Sequence, residues 1–173
     1  LVGMPSMHRR SALKLIADML EYPTEELINN LKSTDQSGIK EVEAFLRDAL
    51  GHDLYELQEI YVETFDMSRK TNLYLSYHIY GDRRERGLLL ASLIELYNKY
   101  GFNYDRNELP DYIPTILRFI ASCGNRCMRD RQFRDLMQML NRAIDRIRNN
   151  MPRNNPYTHL LDAVKVLLSE IES

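Results

Sequence analysis

The chain has 173 residues, 44% of them hydrophobic and 28% charged, with a net charge of −2. That length supports one domain with a full core, and the balanced charge gives no bulk attraction to nucleic acid or to an anionic membrane. No apolar run approaches the roughly 18–20 residues of a membrane span, and seven glycines and six prolines are few for a turn-rich β fold.

The opening LVGMPSMHRR lacks the apolar core of a secretory signal. Met4 or Met7 is a candidate start, and residues 1–6 are expected to be disordered or extraneous to the domain. A helix is predicted from Ser6 to Glu21, with Leu13, Ile16, Ala17 and Leu20 on one face. Pro23 stops it, and Thr24 caps a short helix to Lys32. STDQSG reads as a polar loop. A helix from Ile39 to Leu50 buries Ile39, Val42, Phe45, Leu46 and Ala49, and Gly51 ends it. Asp53 and Glu56 have capping-box spacing and open a helix to Phe65.

DMSRKTNLYLSYHIYG is ambiguous. Leu73, Leu75, Tyr77 and Ile79 alternate as in a strand, whereas Leu73, Tyr74 and Tyr77 also share a helix face. With no second strand in the chain to pair with, the segment is read as helix. Gly81 and Asp82 mark a stop and a start, Asp82 and Glu85 again at capping spacing. The next helix reaches Tyr100 with Leu89, Leu93, Leu96 and Tyr97 on one face, and Gly101–Phe102 closes it. NYDRNELPD is a loop. Pro114 is tolerated in the first turn of a helix from Tyr112 to Ser122, which Asp111 is placed to cap. Asp130–Asn149 carries a stripe of Phe133, Leu136, Met137, Leu140, Ile144 and Ile147. NNMPRNNP breaks the chain before a last helix, Tyr157–Glu172, with Leu160, Val164, Leu167, Leu168 and Ile171. The expectation is an all-α fold, one compact domain over residues 1–173 with eight to nine helices.

Little of this carries catalytic chemistry. Cys123 and Cys127 can face one way at i, i+4, but a zinc site needs more ligands than His8, His52, His78 and His159 supply at their scattered positions. The two cysteines are therefore read as small buried hydrophobes, too few for a disulfide framework and in keeping with a reduced, cytoplasmic compartment. No phosphate-binding glycine loop and no nucleophile elbow are present. The arginines at Arg83, Arg84 and Arg86, and from Arg126 to Arg148, alternate with acids as on a solvated helix face rather than an RNA surface. No enzyme activity, metal or cofactor is expected. Seven of the eleven tyrosines, however, fall between Tyr74 and Tyr112. Tyrosine joins a flat apolar contact to a polar tip, and such a cluster beside a proline-bounded loop suggests a groove for a peptide.

The motifs Y-V-x-T-F-D, L-Y-L-x-Y, G-D-x-R-x-R-G and E-L-P-D-Y-x-P occur in that order between Tyr61 and Ala121. In order and spacing they resemble the nitrate reductase assembly chaperones of the NarJ type. These sit within a wider group of molybdoenzyme chaperones that also serves trimethylamine-N-oxide and dimethylsulfoxide reductases. The resemblance implies a non-catalytic, all-helical, cytoplasmic protein. It implies binding to the apo catalytic subunit of a molybdenum-containing reductase, chiefly at its N-terminal segment, until the cofactor is inserted. Relatives read closer to E-x-P-D-H where this chain has Glu108, Pro110, Asp111 and Tyr112; tyrosine is usual in the NarJ branch. The residues expected at a peptide site are Leu73, Tyr74, Leu75, Tyr77, Asp82, Arg86, Glu108, Pro110, Asp111 and Tyr112. Leu73, Leu75, Tyr77 and Leu89 would form the floor, and Asp82, Glu108 and Asp111 would face basic target residues. The expected partner is that subunit, with no nucleic acid and no membrane insertion, the protein being monomer or dimer. The alternatives are a general helical adaptor or oligomerisation domain and, ranked lower, a nucleotide-binding protein.

Overall fold

The computed structural model describes residues 6–33 and 38–172. Among these are nine α-helices: α1 (Ser6–Met19), α2 (Glu25–Ser33), α3 (Lys40–Leu50), α4 (Leu54–Tyr61), α5 (Leu75–Tyr80), α6 (Glu85–Lys99), α7 (Ile113–Cys123), α8 (Arg131–Asn149) and α9 (Tyr157–Glu172). A π-helical turn, Val62–Asp66, continues α4, and a 3-10 turn, Gly124–Cys127, follows α7. The expected all-helical class holds, with no strand among the described residues. Ser6 already belongs to α1. The expectations for residues 1–5 and for the centre of the STDQSG loop lie outside the described residues.

The apolar stripes read along the chain become the core. Leu13, Ile16, Ala17 and Leu20 are fully buried, and α1 packs along α7 and α9. Helix α9 also packs on α3 and α8, so its Leu160, Val164, Leu167 and Leu168 are enclosed from several sides. Helix α5 packs on α6 and α8. Aromatic rings fill two regions of this core. Tyr61, Phe65, Tyr157 and Phe45 meet in one, and Tyr97, Phe102, Phe119 and Phe133 in the other, each at edge or tilted angles. Such pairings add to the area their rings bury.

Several helix ends follow from local chemistry. Asp53 accepts the Glu56 amide at 2.8 Å and Asp130 accepts that of Gln132 at 2.9 Å, each capping its helix. Gly101 adopts φ +66°, its amide reaching the Asn98 carbonyl and the Phe102 amide that of Tyr97, the paired bonds of a Schellman stop.

Three expectations need correction. The helix read over the LYLSYHIY segment covers only Leu75–Tyr80; Tyr74 lies in an isolated antiparallel bridge with Tyr112. The bridge pairs Tyr74 with the proline-bounded loop, which does not look like a strand, and from Leu75 onward the segment is helical. Asp82 does not cap α6, whose N-cap is Arg84 without a side-chain bond. Asp111 does not cap its own helix: the N-cap of α7 is Tyr112, again without a side-chain bond. Cys123 and Cys127 are both buried, as expected of small hydrophobes, with Cα atoms 5.9 Å apart across the 3-10 turn.

Candidate functional site

The loop before α7 is held from three directions. The Pro110 carbonyl accepts the Tyr97 hydroxyl at 2.6 Å, the Asp111 carbonyl accepts the Leu75 amide at 3.1 Å, and the Ile113 amide donates to the Leu73 carbonyl at 2.8 Å. The last two bonds form the Tyr74–Tyr112 bridge and bring these rings within 5.5 Å of each other. Pro110 is thereby an anchor, buried beneath the loop. Asp111 is enclosed completely, and its Oδ2 accepts the Ser76 amide at 2.9 Å and the Ser76 hydroxyl at 2.5 Å. Arg86 donates through Nε to the same hydroxyl at 2.8 Å. Asp111 therefore caps α5, across the bridge. The polar wall expected of it is in fact an internal clamp, because the bridge leaves no surface beside it.

The paired tyrosines stand over an open cleft of about 290 Å³. Leu73, Tyr74, Glu108 and Tyr112 line it, together with Glu21, Tyr22, Tyr61, Phe65 and Asp66. Tyrosine hydroxyls organise its carboxylates. Tyr74 donates to Glu108 at 2.7 Å and Tyr112 to Glu21 at 3.0 Å, while Arg118 pairs with the other oxygen of Glu21 at 3.0 Å. Tyr61 donates to the Leu20 carbonyl at 2.8 Å and lies 3.3 Å from the Tyr112 oxygen. Burial, then neighbouring acids and hydroxyls, push Tyr74 and Tyr112 well above the usual phenol range. Burial alone is the main cause for Tyr61. All three hydroxyls thus stay protonated as donors at neutral pH. Asp66 is raised too, first by partial withdrawal from water and then by Glu108.

The ten expected residues are therefore divided. Leu73, Tyr74, Glu108 and Tyr112 share the cleft. Leu75 is fully buried under it, and Pro110, Asp111 and Arg86 hold its frame. Tyr77 is half-buried on α5, and Asp82 is exposed on the following turn; neither lines the cleft, nor does Leu89, buried on α6. Of the residues the sequence reading missed, Tyr61, Phe65 and Asp66 lie inside the Y-V-x-T-F-D motif, so their order along the chain was a usable signal. The π turn that begins one residue after Tyr61 carries Phe65 and Asp66 into the cleft. Glu21 and Tyr22 carried no such signal, being residues after a helix end.

The arrangement offers aromatic surface, fixed carboxylates and no nucleophile, and among the described residues no group of three or more acids, histidines or cysteines is placed to hold a metal. No described helix is long and apolar enough to cross a membrane. Comparison with known proteins points the same way as the motifs. The Bacillus subtilis NarJ protein, by name a nitrate reductase molybdenum cofactor assembly chaperone, is 29% identical over 98% of this chain and 93% of its own length. The Escherichia coli K12 protein of the same name is 31% identical over 63% of the chain, a match that spans half of that relative. Both are named as assembly chaperones. A redox enzyme maturation protein from Archaeoglobus fulgidus superposes with a TM-score of 0.62 at 23% identity, covering 100% of this chain and 97% of that one, and so shares the fold. The family model described as nitrate reductase delta subunit matches residues 13–153, nearly the whole span from the middle of α1 to the turn before α9; the chain belongs to the nitrate reductase delta subunit family.

Proposed function

We propose that this protein assists assembly of a molybdenum-containing reductase by binding its apo catalytic subunit, chiefly through that subunit's N-terminal segment. The segment is held until the molybdenum cofactor has been inserted, in the cytoplasm and before the subunit joins its partners. The observation that carries the reading is the open tyrosine-lined cleft at the point where two ordered motifs, Tyr61–Asp66 and Glu108–Pro114, meet. A short helix or peptide laid there would bury apolar side chains against Tyr22, Phe65 and Leu73. Its polar groups would find hydroxyls and carboxylates already fixed in place, which lowers the ordering cost of binding. The same geometry would serve a general peptide adaptor; the family relationship is what favours a molybdoenzyme client.

The test is a calorimetric titration of a synthetic N-terminal peptide of the reductase subunit from the same organism. Tyr74→Ala removes an aromatic wall and frees Glu108, and is expected to weaken binding by about 2 kcal/mol, roughly 30-fold. Asp82→Ala, outside the cleft, should bind as wild type. Equal affinities for wild type and Tyr74→Ala would rule out the cleft. Purification from the native host without any molybdoenzyme subunit attached would count against the client.

A further inference from the structure

Near the N-terminal end of α1, roughly 15 Å along that helix from the tyrosine cleft, a second cleft of about 380 Å³ opens beside the turn between α7 and α8. Arg9, Arg10, Asn125 and Glu170 are among its lining. From the edge of this cleft four exposed arginines follow along the chain: Arg126, Arg129, Arg131 and Arg134. They gather round the start of α8. Arg134 donates through Nη1 to the Arg129 carbonyl at 2.8 Å, and Arg126 through Nε to the Cys123 carbonyl at 3.4 Å. Arg131 stands one helical turn before Arg134 on the same face. None of the four is ion-paired among the described residues. The acids of the stretch are Asp135 and Asp130, and Asp130 is taken by Lys99 at 2.6 Å. This end of the molecule is thus basic on a chain whose net charge is −2. The even balance of the whole sequence conceals a segregation of charge.

Local stability does not favour the arrangement. A helix N-terminus prefers acids, and α2, α3, α4 and α6 each carry at least one in the first turn, whereas α8 carries none and opens on Arg131. From this basic end we infer a surface that adsorbs to an anionic lipid bilayer. Four exposed guanidiniums on long stems, spread over a turn and a helix start, match a diffuse sheet of negative headgroups. None of the four lines either cleft, and none of the exposed large hydrophobic side chains stands among them. The patch therefore offers no groove for an acidic peptide and no exposed ring on which a base could stack. For the same reason the chain rests on the headgroups without inserting, held by an attraction that salt screens. The surface is separate from the tyrosine cleft and stands whether or not that cleft binds a peptide.

Co-sedimentation of the full chain with vesicles tests the surface, using phosphatidylcholine alone and phosphatidylcholine with about a third phosphatidylglycerol. In low salt the wild type is expected to pellet with the anionic vesicles and not with the neutral ones, and about 0.5 M salt should release it. Arg129→Glu combined with Arg131→Glu is expected to bind the anionic vesicles at least about tenfold more weakly. Arg69→Glu combined with Lys70→Glu makes the same change in net charge at two other exposed positions, and should bind within about twofold of wild type. All four side chains are exposed, so both double variants should melt as wild type does. Wild type that stays in the supernatant with anionic vesicles in low salt overturns the inference without any variant, as does equal binding by the two double variants. Binding to soluble poly-glutamate but not to vesicles, the behaviour expected for an acidic protein partner, overturns it too.

Discussion

At Asp111 one carboxylate oxygen takes two hydrogen bonds from Ser76, while the other has no hydrogen-bond partner and no exposed surface. Removing the side chain would leave the start of α5 uncapped and the Ser76 hydroxyl without its acceptor. Asp111→Ala is therefore expected to cost about 3 kcal/mol in urea unfolding, a cap plus a bond to a charged group. Any loss of peptide binding in that variant would then reflect a disturbed frame, which is why Tyr74 is the better probe of the cleft. A different carboxylate contributes to acid stability. Lys99 donates to Asp130 at 2.6 Å and Tyr100 at 2.8 Å, and these bonds hold its carboxyl at about 2. A depressed carboxyl stabilises the fold above its unfolded pKa of about 3.9, and that stability drains as pH falls from there towards 2. Asp130→Asn should flatten this acid limb, so that its melting temperature changes less than that of wild type between about pH 5 and pH 2.5.

Among the elements, α6 shows how a stop is built. With Gly101 at φ +66°, the chain turns back and Phe102 drops onto Tyr97, their rings 5.1 Å apart. Nothing lies within 4 Å of the place a Cβ would occupy there, so the cost of Gly101→Ala is conformational only, about 1 kcal/mol by thermal or urea unfolding. A much larger loss would mean that the substitution disturbs the Phe102 contact as well. The π turn after α4 has a different use. Its Thr64 takes a hydrogen bond from Asn155 at 2.5 Å, tying the turn to the start of α9, while Phe65 packs on Tyr157. The wide turn thus sits with one side in the core and Asp66 at the rim of the cleft, a placement an unbroken α-helix would not have set by itself.

At the scale of the whole molecule, α1 runs between the two clefts. It packs against α7 and α9 and reaches both clefts, one near each end. Ile16 is fully buried in this packing, and Ile16→Ala is expected to cost about 3–4 kcal/mol by loss of transfer energy and the cavity left behind. Leu88 is 74% exposed on α6, and Leu88→Ser should change stability by no more than about 0.5 kcal/mol. Urea midpoints for the two variants compare these directly; similar losses would contradict the burial pattern.

What the chain determined by itself was nearly all of its helices and the residues they bury. Helical spacing, Asp53 and Asp130 at N-caps and Gly101 at a stop are local features, decided within a few residues of each other. The ordered motifs likewise pointed to Leu73, Tyr74, Glu108 and Tyr112 as members of one place. Only the tertiary structure decided the rest. The Tyr74–Tyr112 bridge joins segments 38 residues apart through two backbone hydrogen bonds, and no periodicity marks either side of it. The bridge sets Asp111 behind it as a clamp on Ser76, while the packing of α1 on α7 brings Glu21 to Tyr112 and Arg118, and Tyr22 lies against Tyr61. Local sequence encodes caps and faces because neighbours in the chain enforce them. Which carboxylate ends buried and which ends open depends on how distant helices pack.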